Sequence, residues 1–269
     1  MLDVHPPHGP THTWKEFFIH LATIVIGLLI AVGIEHAVER IHAAYELREA
    51  RDAIEIEMHG NVTNLAADER YWLKTFAKLK NNLLVLEFIR QHPGVPQSEL
   101  PGDLRWEQYP FRADSVAWNA TIKKGTIQLM PLDEANRNQL IYIILDGLQN
   151  QSLQTWDAIN NARKFDTLDS DPTHLSSAEL NETIRLTEFA LARHLEMGYS
   201  FGWMAQAFPE MSHGITYDLI QKLRPDPIDL NPATLAAAHR RTDDRIDAML
   251  TDSARAAGEH TGKSDQPSK

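Results

Sequence analysis

The sequence predicts an all-α protein in which one N-terminal transmembrane helix continues into the long first helix of an antiparallel helical bundle. Three observations predict this fold class. An uncharged apolar run extends from Phe17 to Ile34, apolar residues then return at helical intervals, and no strand-like alternation of useful length occurs apart from Thr126 to Leu129. The predicted division is a flexible tail at 1–13, a transmembrane helix at 14–36, a helical bundle domain at 37–257 with a loop at 92–112, and a disordered tail at 258–269.

Length and composition exclude several classes of protein. The chain has 269 residues, of which 43% are hydrophobic, so it can bury a substantial core. Its formal net charge of −11 argues against nucleic acid as a partner, because such binding depends on Lys and Arg at the phosphates. With no cysteine, the chain has no disulfides, thiolate nucleophiles or Cys-ligated metal sites. These properties are compatible with either the cytosol or the periplasm.

The apolar run from Phe17 to Ile34 has the length of a membrane span. Its eighteen residues carry no formal charge. As a helix they reach about 27 Å, close to the ~30 Å hydrocarbon thickness of a bilayer. Trp14 and Lys15 precede the run and Glu35 follows it, and aromatic and charged residues favour the headgroup region. We therefore expect the lipid bilayer to be a partner, with Trp14, Lys15 and Glu35 at its interfaces.

Two other interpretations of this run stay open. A cleaved signal peptide would use Ala31-Val32-Gly33 as a small-residue site, but the run is longer than the usual h-region of about 7–15 residues. The buried helix of a soluble protein is rarely apolar on all sides for five turns, and the sequence after Ile34 changes abruptly to a charged, amphipathic pattern. A membrane span fits the pattern better than either.

Small residues recur along one face of the predicted span. Thr23, Gly27 and Ala31 are four residues apart, the small-xxx-small spacing that lets two membrane helices approach closely. We expect these three residues to support self-association or docking on another membrane subunit.

Residues that are typical of turns and helix caps predict where the remaining helices begin and end. The helix begun in the membrane should continue from Ala37 to about Arg90, where the only candidate interruption is Gly60-Asn61, and the proline-rich segment 92–112 should form a loop. Ser and Asp are favoured at the N-cap of a helix, Pro in its first turn and Gly just after its last residue. Further helices are predicted from Asp114 or Ser115 to Gly125, from Pro131 to about Phe165, from Ser176 or Ser177 to about Phe208, and over about 232–257.

The N-terminal third carries a resemblance. Ile26-Gly27-Leu28-Leu29-Ile30-Ala31, followed by Glu35, Glu39 and a charged helix, resembles the opening of a group of bacterial single-span membrane proteins of uncharacterised function. Ser115-Val116-Ala117-Trp118 and Gly125 are similar to a short helix in such proteins. The resemblance covers mainly residues 14–64. It implies a bacterial inner-membrane protein with an α-helical domain, and it implies no activity or functional residues.

Two arguments about which side of the membrane carries the soluble domain give opposite results. One basic residue, Lys15, precedes the span, whereas Arg40, Arg48 and Arg51 follow it. By the positive-inside rule this difference favours a cytoplasmic domain. The group that the chain resembles usually has a basic tail, which implies export of the domain. We expect a periplasmic domain.

The sequence gives only weak indications of a metal site. His5, His8 and His12 form a His-rich tail, but prolines between them prevent preorganisation of a site. Glu39-Arg40-Ile41-His42 matches one Glu-x-x-His unit of di-metal carboxylate bundles, which need a second unit and further glutamates. No second unit is apparent. We therefore predict no cofactor or metal, and a di-metal enzyme is only a remote alternative.

No nucleophile elbow, phosphate-binding glycine loop or dinucleotide motif is present, so the sequence does not indicate an enzyme. Two functions fit better. One is a non-enzymatic scaffold or accessory subunit of a membrane complex, oligomerising through the span and the long helix. The alternative is an extracytoplasmic ligand-sensing helical bundle, which rests on fold-level analogy.

Overall fold

The computed structural model describes residues 14–165 and 171–223. The described residues form α-helices, short 3-10 turns and irregular segments without a strand, which confirms the all-α prediction. The predicted tails, the helix predicted over 232–257, and His5, His8 and His12 lie outside the described residues. The helices are α1 Trp14–Gln91, α2 Val116–Lys124, α3 Leu132–Ala162, α4 Ser177–Ala207 and α5 Tyr217–Lys222.

Helix α1 runs for 78 residues through the predicted span and beyond it. The helix is continuous at Gly60-Asn61, so the candidate interruption does not occur. A single glycine inside a helix costs only about 1 kcal/mol, and no proline lies between Trp14 and Gln91 to remove a backbone hydrogen bond. Acidic Glu16 in the first turn and basic Arg90 in the last complement the helix dipole.

The chain divides into two compact units. The first comprises Met1–Ile54 with Ala117–Pro131, and the second comprises Glu55–Val116 with Leu132–Lys269. The division therefore falls inside α1. We call residues 14–53 of α1 the stem.

In the first unit, α2 ends as predicted at a glycine. Gly125 has a φ of 76°, which is a left-handed conformation that glycine adopts without a steric penalty. The strand considered for Thr126 to Leu129 is wrong, because these residues form a 3-10 turn. The amide of Gln128 donates to the carbonyl of Gly125 at 3.1 Å, and the amide of Met130 donates to Ile127 at 3.2 Å. The backbone thus bonds locally instead of to a neighbouring strand.

The second unit holds a core to which α1, α3, α4 and α5 all contribute. Leu65, Leu86, Leu148, Phe201 and Ile220 have no exposed surface. Hydrogen bonds also join its helices. The indole Nε1 of Trp72 donates to the carbonyl of His194 at 2.8 Å, and the hydroxyl of Tyr142 bonds to Glu57 at 2.7 Å.

An irregular segment from Asp103 to Ser115 is fixed to α1 by buried amide side chains. Asn82 donates to the carbonyl of Arg105 at 2.8 Å and accepts from its amide at 2.7 Å. Asn61 makes the same two bonds with Asp114, both at 2.8 Å. Because later segment residues pair with earlier α1 residues, the segment returns along α1 in the opposite direction. The bonds satisfy backbone groups that would otherwise be buried without partners.

The beginning of α4 and the chain after it are fixed by short-range and long-range polar contacts. Ser176 caps α4 and forms a reciprocal capping box with Glu179, as its sequence position predicts. Beyond α4, buried Glu69 accepts hydrogen bonds from the amides of His213 and Ile215 at 3.1 and 3.0 Å. Burial raises the pKa of Glu69, and these two bonds oppose that rise. The carboxylate therefore holds the loop before α5 against α1.

Candidate functional site

Among the residues that the structure describes, nothing packs against the apolar part of the stem closely enough to bury it. Every residue from Phe17 to Ile34 is exposed, and the exposed fraction is 68% at Ile24, 64% at Leu28 and 66% at Leu29. Within the described residues, α1 is the one helix long and apolar enough to span a membrane. Soluble proteins rarely expose a continuous apolar surface of this extent.

The predicted interface residues lie at the two ends of this apolar segment. Trp14 is exposed and contacts Phe17 and Phe18, with ring centroids 5.8 and 5.9 Å apart. Lys15 and Glu35 are exposed on the same helix. The aromatic cluster thus lies at the start of the apolar run, and the acidic residue follows the run.

The small residues predicted for helix packing are also exposed. A side chain at Gly27 would meet nothing within 4 Å, and the Thr23 hydroxyl bonds to the carbonyl of Ile19 at 2.9 Å in its own helix. This face continues beyond the apolar run. Within about 80° of one another on a helix of 3.6 residues per turn lie seven residues, which we call the seam. They are Thr23, Gly27, Ala31, Ile34, Val38, Ile41 and Tyr45.

The acidic residues considered for a metal site form local pairs instead. Glu39 lies 3.4 Å from His36, and His42 lies 3.1 Å from Glu46, all on the exposed surface of the stem. In the part of the chain that the structure describes, no group of three or more His, Asp or Glu side chains is placed to hold a metal ion.

A polar cavity lies within the second unit. Its volume is about 290 Å³ including the open mouth. Its wall includes the aromatic side chains Trp72, Tyr109 and Phe111. Its polar lining residues come from α1, the segment after it, α3 and α4, and they are Asp68, Thr75, Gln108, Ser152, Thr155 and His194.

His194 is the most constrained polar group of the cavity. Its side chain is 3% exposed and stacks on Trp72, with ring centroids 4.9 Å apart. Its Nε2 lies 2.8 Å from the carbonyl oxygen of Trp72. A carbonyl oxygen only accepts, so Nε2 carries the hydrogen. Burial lowers the pKa of His194 to about 4, although the bond to Trp72 opposes this change, and the ring is therefore neutral at pH 7.

Asp68 is the only acidic residue among the cavity's lining residues in the described chain. Burial raises its pKa to about 6, and it has no hydrogen bond or ion pair with any other described residue. A carboxylate with this pKa is mostly ionised at pH 7. The cavity therefore contains an uncompensated negative charge.

Several buried polar atoms of the lining residues also lack partners in the described chain. They are His194 Nδ1, Thr155 Oγ1 and Gln108 Nε2. Ser152 differs from these residues because its Oγ has a partner, accepting a hydrogen bond from the amide of Phe111 at 2.7 Å. Most buried polar groups in folded proteins have a partner, so this concentration of unpaired atoms marks the cavity as a candidate binding site.

Sequence reasoning missed this cavity. Trp72 and His194 are 122 residues apart in the chain, and neither lies in a recognisable motif. The only available signal was the presence of polar residues on the apolar faces of helices, as at Thr155 and His194.

Comparison with protein-family models, with characterised proteins and with solved structures finds no significant match to this chain.

Proposed function

We propose that this chain is a non-enzymatic protein of the bacterial inner membrane, anchored by its single span, that acts as a scaffold or accessory subunit of a membrane complex. The observation that supports the proposal most is the exposure of every residue from Phe17 to Ile34. Lipid, together with a partner helix along one face, would cover this surface and remove it from water. The same exposure argues against the buried helix of a soluble domain.

We further infer that the second unit is an antiparallel bundle. His194 of α4 bonds to Trp72 of α1, whereas the later residue His213 bonds to the earlier residue Val62, so the chain returns along α1 in the opposite direction. Tyr142 of α3 bonds to Glu57, whereas Thr155 shares a cavity with Trp72, so α3 follows the direction of α1. Helices α3 and α4 then run antiparallel to each other.

The seam supports a second copy of this chain as its occupant. Ile34 and Val38 are each 60% exposed, Ile41 is 70% exposed and Tyr45 is 68% exposed. The last two lie about 10 and 16 Å beyond Ile34 at 1.5 Å per residue, outside the predicted hydrocarbon region. A partner that covers the whole seam must cross the membrane and continue as a helix. A second copy meets both requirements, and a two-fold axis along the seam would pair each residue with its own equivalent.

The charges beyond Tyr45 indicate where this pairing would end. Glu49 and Asp52 occupy the next positions within this face, which spans about 80°, and Asp52 lies 4.0 Å from Arg48. In a parallel pair of helices, each charge would approach the same charge of the other copy, which is unfavourable. The paired region would therefore extend from Thr23 to Tyr45.

The direction of the chain across the membrane is part of the proposal. Arg40, Arg48 and Arg51 outnumber Lys15 and favour a cytoplasmic domain. The resemblance to bacterial single-span proteins favours export instead. We place the domain in the periplasm.

Disulfide cross-linking tests the second copy directly, because the natural chain has no cysteine. Single cysteines at Val38, Ile41 and Tyr45 probe the seam, and cysteines at His36 and Ala43 probe the opposite face as matched controls. With the full chain in membranes, oxidation should produce a species of twice the chain mass from the seam variants and little from the controls.

Two other outcomes would contradict the assignment of a second copy. Equal cross-linking on both faces would indicate random collision. An adduct with a different protein at the seam positions would place another membrane subunit there.

The cavity favours a second candidate function, an extracytoplasmic ligand-sensing domain. Its uncompensated carboxylate and unpaired buried atoms have no evident structural role. This candidate is compatible with the membrane anchor.

A further inference from the structure

The cavity in the second unit has a chemical preference that its lining residues define. With Nε2 of His194 donating to Trp72, the neutral ring presents Nδ1 as a lone pair that can only accept a hydrogen bond. Thr155 is 1% exposed, and its hydroxyl also has no partner among the described residues. His194 Nδ1 can be satisfied only by a ligand that donates a hydrogen bond, and the Thr155 hydroxyl, which can donate or accept, can accept from the same donor group.

The charges of the lining residues restrict the class of ligand further. Asp68 contributes a carboxylate, while no Lys or Arg is among the described residues that line the cavity. Phosphate, sulfate and carboxylate ligands would be repelled by Asp68 and would find no cation to bind. A cation that carries N–H groups would compensate the carboxylate and donate to the neutral acceptors at the same time.

Size and wall composition indicate a small head group. The cavity has room inside for about one group the size of a water molecule, which is far less than a pocket that encloses a whole drug-sized ligand. Trp72, Tyr109 and Phe111 contribute aromatic surface, which attracts organic cations. A primary ammonium group is similar in size to water and carries three donors.

We propose that the cavity binds the ammonium head of a small primary amine, with the Asp68 carboxylate as its counter-charge and with His194 Nδ1 and Thr155 Oγ1 as neutral acceptors. Of the described residues that line the cavity, only Asp68 and His194 are of types that commonly bind divalent metals, which makes a transition metal a poorer fit. This inference develops the ligand-sensing candidate and does not depend on membrane anchoring.

Isothermal titration calorimetry of the detergent-solubilised full chain with methylammonium chloride tests the proposal. Saturable binding is expected. Tetramethylammonium provides a control with the same charge but no N–H donor, and acetate provides a control of opposite charge. Neither should bind. Ordered water alone in the cavity would give no saturable heat with methylammonium and would overturn the proposal, as would equal binding of tetramethylammonium or acetate.

Variants assign the binding to the cavity. Asp68→Asn keeps the size of the side chain and breaks no hydrogen bond within the described residues, so the variant should fold. Loss of the charge should weaken methylammonium binding about tenfold or more, because a hydrogen bond to a charged group is stronger than one to a neutral group. Thr155→Val removes one acceptor at nearly constant volume and should weaken binding about 3- to 10-fold.

Asp157→Asn is the matched control, because Asp157 is exposed on α3 outside the cavity and its substitution changes the net charge equally. Its affinity should equal that of the natural chain. Unchanged affinity in Asp68→Asn, with a cooperative melting transition at or above that of the natural chain, would contradict the assignment. Because the stem is unaltered in these variants, failure here would leave the cross-linking result untouched.

Discussion

The two parts of α1 share one helical backbone but differ in what surrounds them. From Trp14 to Ala53 no residue is buried, whereas from Ile54 onward the helix contributes core residues such as Leu65 at 0% and Trp72 at 2% exposure. Apolar side chains are frequent in both parts. The difference shows that apolar content does not itself define a core. Apolar residues that other helices cover stabilise a domain, and those that remain exposed indicate lipid or a partner chain.

Gly198→Ala should produce the largest effect on the buried part. A Cβ at Gly198 would collide with the ring of Trp72 and would lie 2.7 Å from Cδ1 of Ile220. We expect the free energy of unfolding to fall by about 3 kcal/mol, as for other overpacked cores. Urea denaturation followed by circular dichroism measures this change.

Gly147→Ala is the matched control in α3, because its Cβ would meet nothing within 4 Å. It should be neutral or stabilising by up to about 1 kcal/mol. Equal losses of stability in both variants would contradict the close approach of α4 to Trp72.

Buried His194 should make the second unit sensitive to acid. The unfolded chain protonates this residue near its ordinary pKa of 6.5, whereas burial lowers the folded pKa to about 4. The unfolded state therefore binds more protons between these values, and stability falls with decreasing pH across this window. The loss should reach about 3 kcal/mol near pH 4. Urea denaturation of Asp68→Asn between pH 7 and 4 measures this fall without the opposing contribution of Asp68, and His194→Gln in the same background should reduce the slope.

Asp68 should have the opposite pH dependence. Its folded pKa is raised from 3.8 to about 6, so its contribution to stability is greatest below pH 3.8 and is lost as pH rises through 6. Asp68→Asn should therefore stabilise the protein at pH 7, by about 1–2 kcal/mol after allowance for solvent screening. This gain should disappear below about pH 4. Exposed Asp157→Asn is the control for the loss of one negative charge outside the cavity.

Gly27→Ile should have the smallest effect on domain stability. Gly27 lies in the exposed stem, where an added Cβ would meet no described atom within 4 Å, so the unfolding transition of the second unit should not change by more than about 0.5 kcal/mol. The branched side chain would nevertheless separate two helices that pack at the seam. Cross-linking through a cysteine at Ile41 should therefore decrease. A changed unfolding transition of the second unit together with unchanged cross-linking would contradict the account, in which the stem packs on a partner and the later part of α1 stabilises the domain.

Local patterns predicted the elements of the fold well. The apolar run, the capping box at Ser176 and the glycine at Gly125 act within a few residues, so the sequence displays them directly. Contacts between distant residues could not be predicted in this way. The carboxylate of Glu69 bonds to amides 144 and 146 residues away, and Asn82 fixes a loop whose path depends on the packed helices.

The two candidate sites also differ in whether local sequence or contacts between distant residues define them. Thr23, Gly27 and Ala31 lie on one helix, so their shared face follows from their spacing alone. The cavity combines residues from three helices and an irregular segment, and its polar residues are ordinary in their local sequence. Only tertiary packing shows that Asp68, Thr155 and His194 line the same space.

The most direct test of the account is the depth of each stem residue in a lipid bilayer. Single nitroxide labels can be placed along 17–53, because the natural chain has no competing cysteine. Electron paramagnetic resonance then compares collisions with oxygen, which is enriched in lipid, and with a water-soluble nickel chelate. We expect labels at 17–34 to favour oxygen and labels beyond Glu35 to favour nickel increasingly. High nickel accessibility throughout 17–34 would contradict a membrane span.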